Sequence, residues 1–131
     1  MNLHEILLQR LQRVPELEHR QQPGWLRIEA IQPNGFAVEV HTGESNWTVY
    51  LGNGGFHETF ASGTEVINFV AWCYSGEARL REFWRGSIPQ KCVLEGLHDG
   101  DWREISATGY FLVPFWQKSR EVVLQNPCLL E

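Results

Sequence analysis

The sequence predicts an α+β fold in which two helices pack on a mainly antiparallel, twisted sheet built from meanders. Two stretches repeat apolar residues every three or four positions, as amphipathic helices do. Several shorter stretches alternate apolar and polar residues and are separated by turn residues, as antiparallel strands are. The 131 residues are 43% hydrophobic and include 6 Trp, 7 Phe and 3 Tyr, enough apolar material for one domain over residues 1–131.

The first helix is predicted at about residues 2–14. Leu3, Leu7 and Leu11 recur on one side of this segment, while charged and polar residues occupy the other side. Pro15 lacks the backbone N–H that a helix interior requires, so the helix ends near it. Residues 21–24 contain Pro and Gly and are predicted to be a linker, with the sheet beginning after Gly24.

The first meander is predicted at about residues 25–60. Strands Trp25–Ile31 and Phe36–Val40 flank Asn34-Gly35, a dipeptide that supplies the positive φ of a tight hairpin. A third strand, Trp47–Leu51, places Trp47, Val49 and Leu51 on one face, and the alternation continues to Phe60. Phe36, Val38 and Val40 are expected to face the core.

The second helix is predicted at about residues 63–75. Ser62 and Glu65 have the spacing of a capping box, which marks the start of a helix. Gly76 is suited to the left-handed position that follows a helix end. The expected buried stripe of this helix consists of Val66, Phe69, Val70 and Cys73.

A second meander is predicted at about residues 78–126. Residues 77–85 combine helix-favouring and strand-favouring side chains, and Phe83 and Trp84 favour the strand. Asp99, Gly100 and Asp101 indicate a turn, and Pro114 indicates an edge or a bulge. The strands expected after residue 85 are Lys91–Leu97, Trp102–Ala107, Tyr110–Trp116 and Glu121–Gln125.

Charge and cysteine content restrict the partners and the compartment. The net charge of −5 disfavours binding to phosphate backbones, so nucleic acid is not expected as a partner. Three scattered cysteines do not form a disulfide framework, and we find neither a secretory signal nor an apolar run long enough to cross a membrane. These observations predict a cytoplasmic protein, with another protein as a conceivable partner and the oligomeric state open.

One local concentration of basic and aromatic residues could form an interaction face, since Arg and Trp are enriched among interface anchors. The favoured interpretation is that these arginines pair with Glu77, Glu82, Glu95 and Glu104 in a solvated lattice across neighbouring strands. The candidate face consists of Arg79, Arg81, Arg85, Trp84, Trp102 and Arg103.

The glycine loop at residues 52–55 is a second candidate site. Successive backbone N–H groups can bind an anion, and Gly54, Gly55 and His57 would form such a site. A P-loop requires Lys and Ser or Thr at this point, whereas Phe56 and His57 follow here, so an ordinary turn is the favoured interpretation. His57 and Glu58 face opposite sides of a strand, which argues against a shared catalytic role.

The C-terminal half contains a set of short segments that form a recognisable pattern: Trp72-Cys73-Tyr74-Ser75-Gly76-Glu77-Ala78-Arg79-Leu80, Arg85-Gly86, Pro89, Leu94-Glu95, Thr108-Gly109, Phe115-Trp116 and Gln125-Asn126. With these residues the C-terminal half resembles a group of small bacterial proteins of unassigned function. The resemblance implies a bacterial origin but carries no catalytic or binding residues with it.

The sequence therefore favours a non-catalytic interaction or ligand-binding protein. The alternative is a small enzyme with its site near the Gly52–Glu58 loop. The five histidines lack the spacing of a metal site, no Cys-x-x-Cys motif accompanies them, and no cofactor is predicted.

Overall fold

A computed structural model describes residues 2–30, 32–53, 55–109 and 119–126. Within this part of the chain lie two helices and two antiparallel sheets, so the predicted α+β class is confirmed. The elements in chain order are α1 (Leu3–Leu11), β1 (His19–Gln22), β2 (Trp25–Ile28), β3 (Val38–Thr42), β4 (Trp47–Leu51), β5 (Phe56–Phe60), α2 (Gly63–Cys73), β6 (Ala78–Arg85), β7 (Ile88–His98), β8 (Asp101–Gly109) and β9 (Ser119–Leu124).

Helix α1 begins at a capped N-terminus. The Asn2 side chain accepts a 2.9 Å hydrogen bond from the Glu5 backbone N–H, satisfying a donor that a helix start leaves free. Leu3, Leu7 and Leu11 are buried as predicted. The helix is shorter than the expected 2–14 because the chain turns before Pro15, where helical geometry is disfavoured.

The linker predicted at residues 21–24 is wrong, because Gln21 and Gln22 belong to a strand. β1 pairs with β2, placing Gln22 opposite Trp25 across a two-residue turn. Pro23 fixes its own φ, and Gly24 has a φ of 74°, as a type II turn requires. All four residues of β1 are exposed, so the strand has no alternation of apolar and polar residues that would reveal it.

The connection between β2 and β3 is longer than the predicted tight hairpin. Ile28 lies opposite Val38 at the end of this pairing, and the described residues between them are not paired in the ladder. Gly35 is not among the glycines with positive φ. Instead the loop is held from a distance, since the Gln125 N–H donates to the Asn34 carbonyl at 2.7 Å.

Helix α2 begins after Ser62 as predicted, although the Ser62 side chain forms no capping hydrogen bond. The helix ends at Cys73, and Gly76 follows with a φ of 82°. Val66, Val70 and Cys73 are buried. Phe69 is only half-buried, with its ring 5.0 Å from that of Phe60 and 5.9 Å from that of Trp72.

The predicted single sheet is corrected to two among the described strands. The first has the order β1-β2-β3-β4-β5 and the second the order β8-β7-β6-β9. β6 pairs with β7 and β9 rather than with β5, so α2 separates the two sheets along the chain. The predicted strand Tyr110–Trp116, with Pro114, lies outside the described residues.

The core contains residues from both helices and both sheets. One buried apolar cluster includes the inner faces of both sheets. The first sheet contributes Val38, Val40 and Val49, and the second contributes Leu80 and Leu94. Burial of this shared apolar surface is the main term that holds the sheets together. Polar links add to it, including the hydrogen bond that the Ser106 hydroxyl on β8 donates to the Glu58 carboxylate on β5.

Candidate ligand-binding groove

Two of the four arginines predicted to form an interaction face, Arg79 and Arg81, form ion pairs with carboxylates. Arg79 donates to Glu95 at 2.8 Å through Nε and at 2.7 Å through Nη2. Arg81 contacts Glu95 at 3.4 Å and Glu121 at 2.5 Å. Glu95 is only 6% exposed, so its carboxylate is largely removed from water and relies on these two arginines for stabilisation.

The six predicted residues do not form one surface. The Arg79 guanidinium lies 4.5 Å from the centroid of the Trp102 ring on the outer face of the second sheet. Trp84 is an odd number of residues from Arg79 on β6 and so lies on the inner face, where its N–H donates to the buried Glu82 at 3.4 Å. Arg103 directly follows Trp102 on β8, so by the same alternation it lies on the face opposite to that of Trp102 and Arg79. Arg85 follows Arg81 on the outer face and is half-buried. This arrangement favours the lattice interpretation for Arg79 and Arg81.

Arg79→Ala is expected to lower the free energy of unfolding by about 1.5–3 kcal/mol, because Glu95 loses its closest charged hydrogen-bond donor. The matched control is Arg103→Ala. Arg103 is exposed, forms no hydrogen bond or ion pair within the described chain, and its replacement should change stability by less than about 0.5 kcal/mol. Urea denaturation of the two variants measures both values, and equal losses would contradict the lattice.

The glycine loop binds an internal carboxylate. The Asn53 N–H donates to Glu82 Oε2 at 3.0 Å, and Glu82 is buried. A backbone N–H of this loop therefore already binds the Glu82 carboxylate of the protein itself. Gly54 lies outside the described residues, and Gly55 accepts a 3.0 Å hydrogen bond at its carbonyl from His57 Nδ1.

His57 and Glu58 face opposite sides of β5, as the alternation predicts. The His57 ring is exposed beside Tyr50 on the outer face, with 5.6 Å between the ring centroids. Glu58 contacts Ser106 on the inner side. This geometry removes the support for a general base assisted by the neighbouring carboxylate.

The described cysteines are suited to packing. Burial raises the pKa of the Cys73 thiol far above its ordinary value. Burial also raises the pKa of Cys92, to about 11. Both thiols stay protonated at neutral pH, whereas a cysteine nucleophile requires a lowered pKa. Cys128 lies outside the described residues.

A wide groove opens at the end of the first sheet where the β1–β2 turn lies. Its volume is about 1050 Å³, at the upper limit of typical ligand sites. The start of α1 and the start of α2 form two of its sides. The residues lining the groove are Asn2, Leu3, His4, Glu5, Ile6, Leu8, Gln21, Gln22, Pro23, Gly24, Thr42, Trp47, Gly63, Thr64 and Ile67.

The groove has an apolar wall that the core leaves partly exposed. Leu8, Trp47 and Ile67 pack against the core yet retain accessible surface. Trp47 is the first residue of β4, so its ring lies at the end of the sheet. A Cβ atom placed on Gly63 of α2 would lie 3.8 Å from this ring. An aromatic ring in such a position offers a large stacking surface to a ligand.

His4 and Thr42 supply the polar side of the groove. The His4 Nε2 atom lies 2.8 Å from the Thr42 hydroxyl oxygen. Partial burial lowers the pKa of the His4 imidazole below its ordinary value. The ring is therefore neutral at pH 7 and can accept or donate one hydrogen bond at each nitrogen.

This arrangement is better suited to binding than to catalysis. Within the described chain no carboxylate hydrogen-bonds to the His4 ring, so the oriented base of a hydroxyl nucleophile is incomplete. No group of three potential metal ligands occurs among the described residues. Among the described lining residues Glu5 is the one carboxylate, and with His4 neutral none of them carries a cationic side chain for an anion.

Comparisons with known proteins provide no family for the chain. No family model, no curated protein and no solved structure matches it. None of the helices in the described ranges has both the length and the apolar character needed to span a bilayer.

Sequence reasoning missed the groove because its lining residues come from five separate segments. Trp47 was expected only to share a strand face with Val49 and Leu51, and residues 21–24 were expected to be a linker. The available signal was Pro23-Gly24, since that pair predicts a tight turn, and a tight turn there would have predicted β1 as its first strand.

Proposed function

We propose that this protein is a non-catalytic binding protein whose groove holds a neutral small molecule with a planar apolar body and one hydrogen-bonding group. The observation that carries the proposal is the groove itself, where the Trp47 ring and the His4–Thr42 pair line the same concavity. Ligand sites in proteins combine apolar walls with a few placed polar groups in this way.

The charges of the lining residues support a neutral ligand. Among the groove residues that the structure describes, an anion would meet the Glu5 carboxylate and no cationic side chain. A hydroxyl or carbonyl on the ligand could hydrogen-bond to the neutral His4 imidazole and to the Thr42 hydroxyl. Both groups are uncharged, so removing them from water costs less free energy than removing a charged group.

The setting remains the one expected from sequence: a bacterial cytoplasm. The alternative of a small enzyme near the Gly52–Glu58 loop has less support, since Glu82 occupies the loop and His57 faces away from Glu58. Protein binding through the arginine face is also less favoured, because Glu95 and Glu121 already neutralise Arg79 and Arg81.

The test is a screen of neutral aromatic alcohols and amides, read out by backbone amide chemical shifts. Binding should perturb the signals of Gly24, Thr42 and Gly63 together, because these residues come from different elements and meet at the groove. Thr42→Val, which removes the hydroxyl and keeps the shape, should weaken binding by about three- to tenfold.

The matched control is Thr59→Val, on an exposed position of β5. Its hydroxyl lies 3.3 Å from that of Thr48 and does not line the groove. Affinity should stay at the wild-type level in this variant. A library without binders, or binders that perturb residues elsewhere, would refute the proposal.

A further inference from the structure

Four rings run in sequence across the outer face of the first sheet, and we call them the ring strip: Trp25, His41, Tyr50 and His57. The register places Trp25 opposite His41 and Tyr50 opposite His57. Successive ring centroids are 6.5, 4.9 and 5.6 Å apart. The rings thus form a continuous aromatic and imidazole surface over β2, β3, β4 and β5.

The ring strip is separate from the core. Val40 and Val49 alternate with its members along β3 and β4, and they are fully buried on the inner face. Tyr50, in contrast, is 37% exposed and His57 is exposed. Packing of the core therefore does not account for rings at these positions.

The formal charges beside the ring strip cancel. Arg27 lies 2.9 Å from Glu29 and 3.4 Å from Glu39, and Arg20 lies 3.1 Å from Glu29. Two arginines and two glutamates leave no net charge. Glu39 also accepts a 2.9 Å hydrogen bond from the Trp25 indole N–H, which fixes the position of that ring.

Hydrogen-bonding groups border the rings on the same face. Thr48 and Thr59 lie opposite each other two positions along the ladder from Tyr50 and His57, which places them on the same face. The His57 Nδ1 atom lies 3.0 Å from the Gly55 carbonyl oxygen, which can only accept, so Nδ1 donates the hydrogen bond there. The surface therefore offers aromatic faces bordered by hydrogen-bond donors and acceptors.

We propose that the ring strip binds a neutral oligosaccharide. A sugar ring presents C–H bonds on one face and hydroxyl groups at its rim, which matches aromatic faces bordered by threonine, imidazole and carboxylate groups. Single-stranded nucleic acid also stacks on rings but needs surplus positive charge, whereas these arginines are paired and the chain carries a net charge of −5.

The experiment is affinity measurement on the full chain with cellohexaose, maltohexaose, chitohexaose, xylohexaose and mannohexaose, by calorimetry and by amide chemical shifts. At least one of these hexasaccharides should bind and perturb the signals of His41, Tyr50 and His57. Tyr50→Ala should weaken binding by about tenfold or more, because the central ring of the strip is lost. Binding of a neutral sugar should be the same at low and high salt.

The matched control is Leu97→Ala, since Leu97 is 39% exposed and lies on the second sheet. This variant should bind the sugar like the wild type. Trp25→Phe keeps a ring but removes the donor to Glu39, and it should weaken binding while the protein stays folded. Absence of binding to all five sugars would overturn the proposal, as would sugar binding that Tyr50→Ala leaves intact. Salt-sensitive binding of a thymidine oligonucleotide in place of the sugars would assign the strip to nucleic acid.

Discussion

Asn126→Ala is expected to lower the free energy of unfolding by about 3–5 kcal/mol, because three buried hydrogen bonds are lost and their backbone partners stay buried. The Asn126 side chain accepts from the Phe36 N–H at 2.9 Å and donates to the Phe36 carbonyl at 3.0 Å and to the Cys73 carbonyl at 3.3 Å. One side chain thus links the segment after β9, the loop before β3 and the end of α2.

Chemical denaturation measures this loss, and Asn68→Ala is the control. Asn68 is exposed on α2, so its replacement should change stability by less than about 0.5 kcal/mol. Asn126→Asp should also be strongly destabilising, because a carboxylate cannot donate to the two carbonyls. A loss below about 1 kcal/mol for Asn126→Ala would show that these three hydrogen bonds are not formed.

Gly52→Ala is expected to cost about 2–5 kcal/mol, the sum of a left-handed backbone and an overfilled site. Gly52 has a φ of 66°, and a Cβ there would lie 2.6 Å from Leu80 Cδ2 and 2.7 Å from Glu82 Oε2. Relief of this clash would displace the buried carboxylate that Asn53 binds.

Gly100→Ala isolates the backbone part of this cost. Gly100 has a φ of 83° and no heavy atom within 4 Å of a Cβ position, so its replacement should cost about 1–2 kcal/mol. Thermal denaturation of the two variants should therefore rank Gly52→Ala as clearly less stable. Equal losses would mean that the loop does not pack tightly against β6.

Local sequence signals predicted most of the helices and strands. The leucine repeat predicted α1, and the spacing of Ser62 and Glu65 predicted the start of α2 although no capping hydrogen bond forms there. Asp99 and Gly100 predicted the β7–β8 turn and both have positive φ. These features depend on backbone preferences and on burial of one face, which neighbouring residues determine.

The features that were missed depend on contacts between distant segments. Nothing near Asn34 or Gly35 indicates that residues 125 and 126 will hold their loop. β9 pairs with β6 rather than with β8. The residues within β9 do not determine which strand edge it pairs with. The same holds for the groove, because His4 meets Thr42 only after both sheet and helix have formed.

The arginine face shows how one pattern can have two meanings. Arg79 beside Trp102 has the composition of a recognition site, although the sequence favoured a salt-bridge lattice. The Arg81–Glu121 pair supports the lattice, and so does Glu95, which is almost fully buried between Arg79 and Arg81. Burial of that carboxylate depends on the three-dimensional packing of β6 against β7.

The most direct test of the binding function is a crystal structure of the protein with the tightest aromatic alcohol from the screen. The predicted result is ligand density against the Trp47 ring, with the ligand hydroxyl within hydrogen-bonding distance of His4 or Thr42. Density at another surface, with the groove empty, would contradict the proposed function.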